Sequence, residues 1–285
     1  MNKPIVRGIL IAVVLIWTLI PIYWFLKMAF LSPAEIARFP PPLYPLEPQL
    51  AAFYNVVGYS YTTDDGLFFR ASGQAGQVLS GLKNSFIVAV IVMVITMIVV
   101  VPLSYVFARL EFRHKTKLLF AILLAVALPP ISTMIPFYAL FVQLDLVGTI
   151  HGLVIVTLTI TIPFVTWMLI GYFRNLPPVE RLARIDGFSR FMAFLRIIVP
   201  LARSGIAVGA VVSFLFAWNE YTFAQILVNG TKATTLPASV SGFLYQVPEP
   251  SQLAASIFFS LIPPLIVAYF LQRHIAEMNL VEPLR

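Results

Sequence analysis

Six stretches of this sequence are long, apolar and almost free of charge, and that pattern excludes most folds. They cover residues 9–30, 84–108, 118–144, 152–173, 204–228 and 250–272, and the only charged side chains among them are Lys27 and Glu220. About 20 mainly apolar residues suffice to cross a bilayer. Lipid offers the backbone no hydrogen-bond partner, so each stretch must close on itself as a helix. The expected fold class is therefore all-α: a polytopic membrane protein of six transmembrane helices, forming one domain over residues 1–285. Composition agrees, with 60% hydrophobic and 11% charged residues against about 25% charged in soluble domains.

The first stretch follows Lys3 and Arg7 and is uncharged from Gly8 to Leu26, 19 residues, with Tyr23-Trp24-Phe25 near its end. A signal peptide has a shorter apolar core and a small-residue cleavage site. The aromatic cluster suits a membrane interface, so this run reads as a retained first span. Pro129-Pro130, Pro136 and Pro263-Pro264 mark expected kinks in the third and sixth spans.

The connections alternate in charge. Residues 1–8, 109–117, 174–203 and 273–285 hold fourteen of the nineteen Lys and Arg residues. Cytoplasmic loops carry the basic excess, so both termini are expected inside. The basic residues are spread over four short loops and not gathered on one face, which argues against nucleic acid as a partner and leaves membrane lipid as the surrounding medium. Cysteine is absent and the three histidines, His114, His151 and His274, lie far apart. No metal-ligand spacing results. The short basic loop 109–117 reads as a topology anchor. The longest outer segment, residues 32–80, has a proline-rich start expected to be extended and a polar turn cluster from Tyr59 to Gly66. It reads as an external cap or as a contact surface for an extracytoplasmic delivery protein.

The loop at 174–203 carries five arginines between Arg181 and Arg203. Pro177-Pro178 suits a helix start, Val179 to Ile185 makes about two turns, and Gly187 can end them in a left-handed conformation. Phe188 then opens a second helix, in which Phe188, Phe191, Met192, Leu195, Ile198 and Val199 share one face. Pro200 ends or kinks it. From the pattern alone, an amphipathic helix on the inner leaflet is an equal alternative.

The order Ala183-x-x-Asp186-Gly187, with Pro200 thirteen positions later, resembles the cytoplasmic signature loop of ABC importer permeases, the EAA loop. Aligned on Gly187, the motif's alanines fall on Leu182 and Ala183, and its glutamate falls on Arg181, with Glu180 one position early. The motif's acidic contact is thus displaced or reversed. Lys83-Asn84-Ser85-Phe86, Ile135-Pro136-Phe137-Tyr138 and Asp145-Leu146-Val147-Gly148-Thr149 are similar to the family's patterns elsewhere. Phe216-Ala217-Trp218-Asn219-Glu220-Tyr221 resembles the maltose-type carbohydrate branch, whose smaller six-span permeases pair with a second, related permease. The terminal segment 273–285 lacks the glycine-rich end usual in that family.

The resemblance implies a permease subunit in a bacterial or archaeal inner membrane, working by alternating access for a sugar or polyol. Implied partners are a second homologous permease, a cytoplasmic ATPase dimer that binds ATP and Mg, and an extracytoplasmic solute-binding protein. The chain itself is expected to bind no cofactor and to catalyse nothing; it has no glycine-rich phosphate loop. Glu180, Arg181, Leu182 and Ala183 would form the ATPase-coupling helix, with Asp186 and Gly187 shaping its turn. Phe188, Phe191, Leu195 and Pro200 would link it to the spans. In the fifth span Glu220 is an ionisable group inside the membrane and so a functional candidate. With Trp218, Asn219 and Tyr221 it would line the translocation path, or else make a structural hydrogen bond. An ion-coupled secondary transporter using Glu220, or a membrane assembly factor, are the alternatives from other classes.

Overall fold

The computed structural model describes residues 3–63, 66–71, 73–245 and 248–277. In chain order the helices are α1 (Lys3–Phe30), α2 (Pro33–Ile36), α3 (Ala51–Val56), α4 (Gly73–Arg109), α5 (Lys115–Ala127), α6 (Pro130–Gln143), α7 (Ile150–Asn175), α8 (Glu180–Ile185) and α9 (Arg190–Ala193). A π-helical turn, Phe194–Ile198, follows, then α10 (Val199–Leu201), α11 (Arg203–Trp218), α12 (Thr222–Leu227), α13 (Leu236–Tyr245) and α14 (Pro250–Glu277). Strands β1 (Tyr61–Thr62) and β2 (Phe68–Phe69) form a small antiparallel hairpin, Tyr61 facing Phe69. Asp64 and Asp65 of the expected turn, and residues 278–285 of the tail, lie outside the described residues.

Five of these helices are long and apolar enough to cross a membrane, and six spans result if α5 and α6 count as one. The third apolar stretch is more than kinked. Its two halves meet at 90°, because Leu128 and Pro129 are extended and Pro130 starts a new helix. The fifth stretch is also divided, into α11 and α12, at Asn219–Tyr221. The outer segment ends earlier than residue 80. Nothing in Gln74–Ser80 stops a helix, so α4 starts at Gly73, and the buried Gln74 amide anchors this first turn on the Ser239 carbonyl.

The chain groups into two compact units, Met1–Leu82 with Thr235–Ile262, and Lys83–Thr234 with Pro263–Arg285. In the first, α1 leaves its apolar surface uncovered until its last turn. There the buried Lys27 Nζ donates to the Pro42 carbonyl at 2.7 Å and sits 3.6 Å from the centre of the Trp24 ring. Tyr23 Oη donates to the Leu43 carbonyl at 2.6 Å. These bonds hold the proline-rich stretch, which could not hold itself by helix or ladder bonds.

Helix α2 opens with a reciprocal cap: Ser32 Oγ accepts from the Glu35 N–H at 3.3 Å, and the Ser32 N–H donates to Glu35 Oε2 at 3.0 Å. The other carboxylate oxygen accepts from the Leu46 N–H at 2.7 Å. Burial pushes the Glu35 carboxyl up, but the N–H groups of Ser32, Leu46 and Glu47 and the Ser32 hydroxyl outweigh it and hold the group below the ordinary carboxylate range. A lowered folded-state pKa stabilises fully above the unfolded value, about 4.3 for glutamate, and that contribution is lost as pH falls through the folded value. Pepsin cleavage within residues 37–47, scaled to an unfolded control, is therefore expected to rise as the medium is acidified through that window. In Glu35→Gln it should be high and flat across the same window.

Candidate functional site

The arginine-rich loop folds locally as its residues dictate. After Pro177-Pro178, α8 begins with the Val179 carbonyl accepting from the Ala183 N–H at 3.0 Å. It ends in a Schellman turn: the Phe188 N–H reaches back to the Ala183 carbonyl at 3.0 Å and the Gly187 N–H to the Arg184 carbonyl at 3.2 Å. This closure requires Gly187 at φ +85°, the left-handed region where a side chain is strained. Ser189 then caps α9, its Oγ accepting from the Met192 N–H at 3.2 Å.

The loop is rooted in the spans of the second unit. Ile198 and Ala202 belong to one core with Val100 and Val101 of α4 and Val165, Leu169 and Phe173 of α7. The Phe194 ring lies 4.9 Å from that of Tyr105. Arg109, the last residue of α4, grips the start of the loop. Its guanidinium donates to the Leu176 carbonyl, and to that of Pro177 at 3.3 Å. Its Nε lies 3.5 Å from Glu180 Oε1. That separation makes an ion pair without a hydrogen bond, and Glu180 Oε1 is buried with no hydrogen-bond donor among the described residues. Beside this contact is an open groove of about 680 Å³, lined by Tyr105, Arg109, Arg181, Arg184 and Arg190 among others.

Loop 109–117 is therefore more than a topology anchor: its first residue fastens the neighbouring loop. No local pattern signals this, because the partners lie about 70 positions away. Arg109→Met is expected to loosen residues 176–188 by roughly 1–3 kcal/mol, since it removes charged hydrogen bonds from two carbonyls and the cation beside Glu180. The pair is part-exposed, which keeps the figure below that of a fully buried one. Hydrogen–deuterium exchange of that segment reads the effect. Unchanged protection there would contradict the clamp.

The candidate residues do not all face the same way. Ala183 is buried, as is Ala193, whereas Arg181, Leu182, Asp186, Gly187 and Pro200 are exposed and Glu180 and Phe188 are half-buried. The expected stripe is divided: Ile198 lies in the core and Val199 packs against it, but Phe191, Met192 and Leu195 face out. Phe191 is 70% exposed and Leu195 45%, and neither roots the loop in the spans of this chain. Phe194, Ile198 and Ala202 do. The π-helical turn is part of the cause: the Val199 N–H bonds to the Phe194 carbonyl, five residues back, and breaks the 3.6-residue period. Small Ala202 lets the helix approach the α4–α7 core closely, while the bulky Phe191, Met192 and Leu195 face out.

In the fifth stretch, Trp218 is buried and stacks on Phe214 with ring centres 5.8 Å apart. Asn219 and Tyr221 are exposed. Asn219 Nδ2 donates to the Leu215 carbonyl at 2.9 Å. Glu220 accepts from two N–H groups, Phe223 at 2.8 Å and Ala224 at 2.9 Å, so it closes the broken end of α12. That is the structural hydrogen bond of the two readings above. Thr157, Thr159 and Thr161 bond back to their own helix. The Thr166 hydroxyl is buried without a hydrogen-bond partner among the described residues.

Two features were legible but unread. Gly205-x-x-x-Gly209 is the small-residue spacing that lets membrane helices approach closely. A side chain on Gly205 would overlap the Tyr172 ring, and one on Gly209 would meet Leu169 at 3.3 Å. Asn84, within the Lys83–Phe86 pattern, donates to the carbonyls of Lys232 and Thr234, each at 2.9 Å, and so ties down the segment after α12.

Residues 100–277 match the model of a family described as binding-protein-dependent transport system inner membrane component. The trehalose transport system permease protein SugB of Mycobacterium tuberculosis is 33% identical over 200 residues, which is 69% of this chain and 73% of that one. The trehalose/maltose transport system permease protein MalG of Thermococcus litoralis is 30% identical over 200 residues, covering 69% and 72%. Among solved structures, a chain of a bacterial ABC transporter involved in import of the acidic polysaccharide alginate superposes with a TM-score of 0.75 over 95% of both chains, at 19% identity. At that identity the likeness concerns the fold.

Proposed function

The chain belongs to the family of binding-protein-dependent transport system inner membrane components, and from that premise we propose that it conducts a sugar or related polyol inward by alternating access. As a member of that family it is a multi-pass membrane permease subunit of an ABC importer and is not itself the ATPase. The carbohydrate reading is supported by the trehalose and trehalose/maltose transport named for its relatives. The partners we propose are a second permease chain, a cytoplasmic ATPase dimer that holds ATP and Mg, and an extracytoplasmic binding protein that delivers the solute. Both termini, and with them residues 177–200, lie on the cytoplasmic side by the distribution of basic residues.

One observation carries the mechanism. A short helix, α8, is presented outward by a Schellman turn, while the helix that follows it is rooted in the α4–α7 core. Packed cores move as units, so a push on α8 is delivered to the spans. ATPase closure would be received by Arg181, Leu182 and the turn at Asp186-Gly187. It would then pass through Phe194 and Ile198 to tilt α4 and α7. An ion-coupled carrier is less favoured, because both oxygens of Glu220 are occupied by backbone N–H groups.

The test is reconstitution with candidate permease, ATPase and binding-protein subunits of the same organism, measuring ATP hydrolysis with and without trehalose, maltose and polyols. Hydrolysis stimulated by binding protein loaded with one of these supports the reading. Hydrolysis indifferent to every carbohydrate, or no stable association with the ATPase, contradicts it.

A further inference from the structure

We propose that the ATPase surface that docks on this loop is acidic, the reverse of the polarity that the signature motif implies. The inference rests on the reading of residues 177–200 as the ATPase-docking loop. Where the motif has its glutamate this chain has Arg181, and the neighbouring Glu180 does not replace it. Glu180 is turned toward Arg109, 3.5 Å away, and its Oε1 is buried. The other acid on the groove, Glu111, is engaged by Lys115 at 2.7 Å. Exposed around the groove are Arg181, Arg184 and Arg190. Among the described residues no carboxylate lies within ion-pair distance of any of the three. Asp186 is the one exposed acid on α8 and its turn, against these three guanidinium groups.

Between the arginines the helix shows bare hydrocarbon, Leu182 and Ile185 being 62% and 81% exposed. A partner that covers this face must bury those side chains and satisfy the guanidinium groups beside them. Guanidinium forks match carboxylates in geometry and charge, so the fitting surface is an apolar seat rimmed by Asp or Glu. A seat rimmed by Lys or Arg, as a glutamate at position 181 would need, places like charges together and is rejected. The loop therefore selects which ATPase it accepts as well as transmitting its motion.

The test uses the full chain in nanodiscs of phosphatidylcholine alone, titrated with each candidate ATPase subunit of the same organism. Arg181→Glu is expected to weaken association about 10- to 100-fold, and Arg181→Gln less. Wild-type affinity should fall as salt rises, because exposed charge pairs are screened. Arg181 is exposed and, among the described residues, free of ion pairs, so neither change should disturb folding. Leu182→Asp serves as the reference. If Leu182→Asp abolishes association while Arg181→Glu leaves it unchanged or tighter, docking stands and the inverted polarity is overturned. If neither change alters association, the docking reading fails and the inference with it. If the Arg181→Glu effect emerges only in discs containing phosphatidylglycerol, the arginines serve lipid, and the acidic ATPase surface is overturned.

Discussion

Replacing Gly187 by proline is expected to abolish solute transport while the chain still accumulates in the membrane. Proline holds φ near −65°, but the Schellman turn needs φ +85° at this position. Proline also lacks the N–H that bonds to the Arg184 carbonyl. Losing the turn conformation and that bond together costs on the order of 2–4 kcal/mol. The cost falls on the turn, which is exposed at Gly187 and lies apart from the Ile198 and Ala202 anchor in the α4–α7 core, so insertion and helix packing should be spared. Gly187→Ala separates the two causes. Nothing lies within 4 Å of a side-chain carbon at this position, so alanine meets only the left-handed strain, roughly 1–2 kcal/mol, and keeps the N–H. Uptake and ATP hydrolysis measured in parallel should show partial transport in Gly187→Ala, and hydrolysis without transport, or none, in Gly187→Pro. Normal uptake in Gly187→Pro would remove the turn from the mechanism.

Gly205→Val is expected to leave little folded protein. At this point α11 crosses α7, and even one added carbon overlaps the Tyr172 ring. An aromatic ring with its own packing partner, Phe173 at 6.5 Å between ring centres, cannot simply swing away. Overpacking of this kind costs about 1–3 kcal/mol, occasionally more, and valine adds further bulk. Gly205→Ala should give a folded but less stable chain, read as a lower thermal midpoint in detergent. Combining it with Tyr172→Ala should return part of the loss, because the second change opens the space that the first one fills. If the double variant were no better than the sum of the singles, the clash would not be the cause. Gly171, by contrast, faces open space, and alanine there should be neutral or slightly stabilising.

These two glycines differ in how they could be found. Gly187 announces itself in sequence: it follows a short helix pattern and precedes Phe188-Ser189, and the Schellman closure involves only residues 183–188. Gly205 is needed because of Tyr172, a residue on another helix, and only its spacing to Gly209 hints at a close approach. The same division runs through the site. The short helix and its turn at Gly187 were legible, but the next helix, expected from Phe188, starts at Arg190 because Ser189 caps it. The stripe was not legible, since period alone does not say which of two apolar faces meets the core. Phe191 and Leu195 look like the inward face by size. Ile198 and the small Ala202 hold that place against α4 and α7.

Length, charge and local chemistry along the chain determined the apolar stretches, the basic loop between the fourth and fifth of them, and the turn at Gly187. Hydrophobic burial in lipid and hydrogen bonds within a few residues act over distances that a sequence displays directly. Only the tertiary structure decided that Arg109 fastens this loop and that Glu180 is drawn inward to it. Only the tertiary structure showed Glu220 closing a broken helix and Phe194 and Ala202 joining Ile198 in rooting the loop in the spans. These depend on which distant side chains share one small volume, and on a π-helical turn that shifts the phase of everything after it.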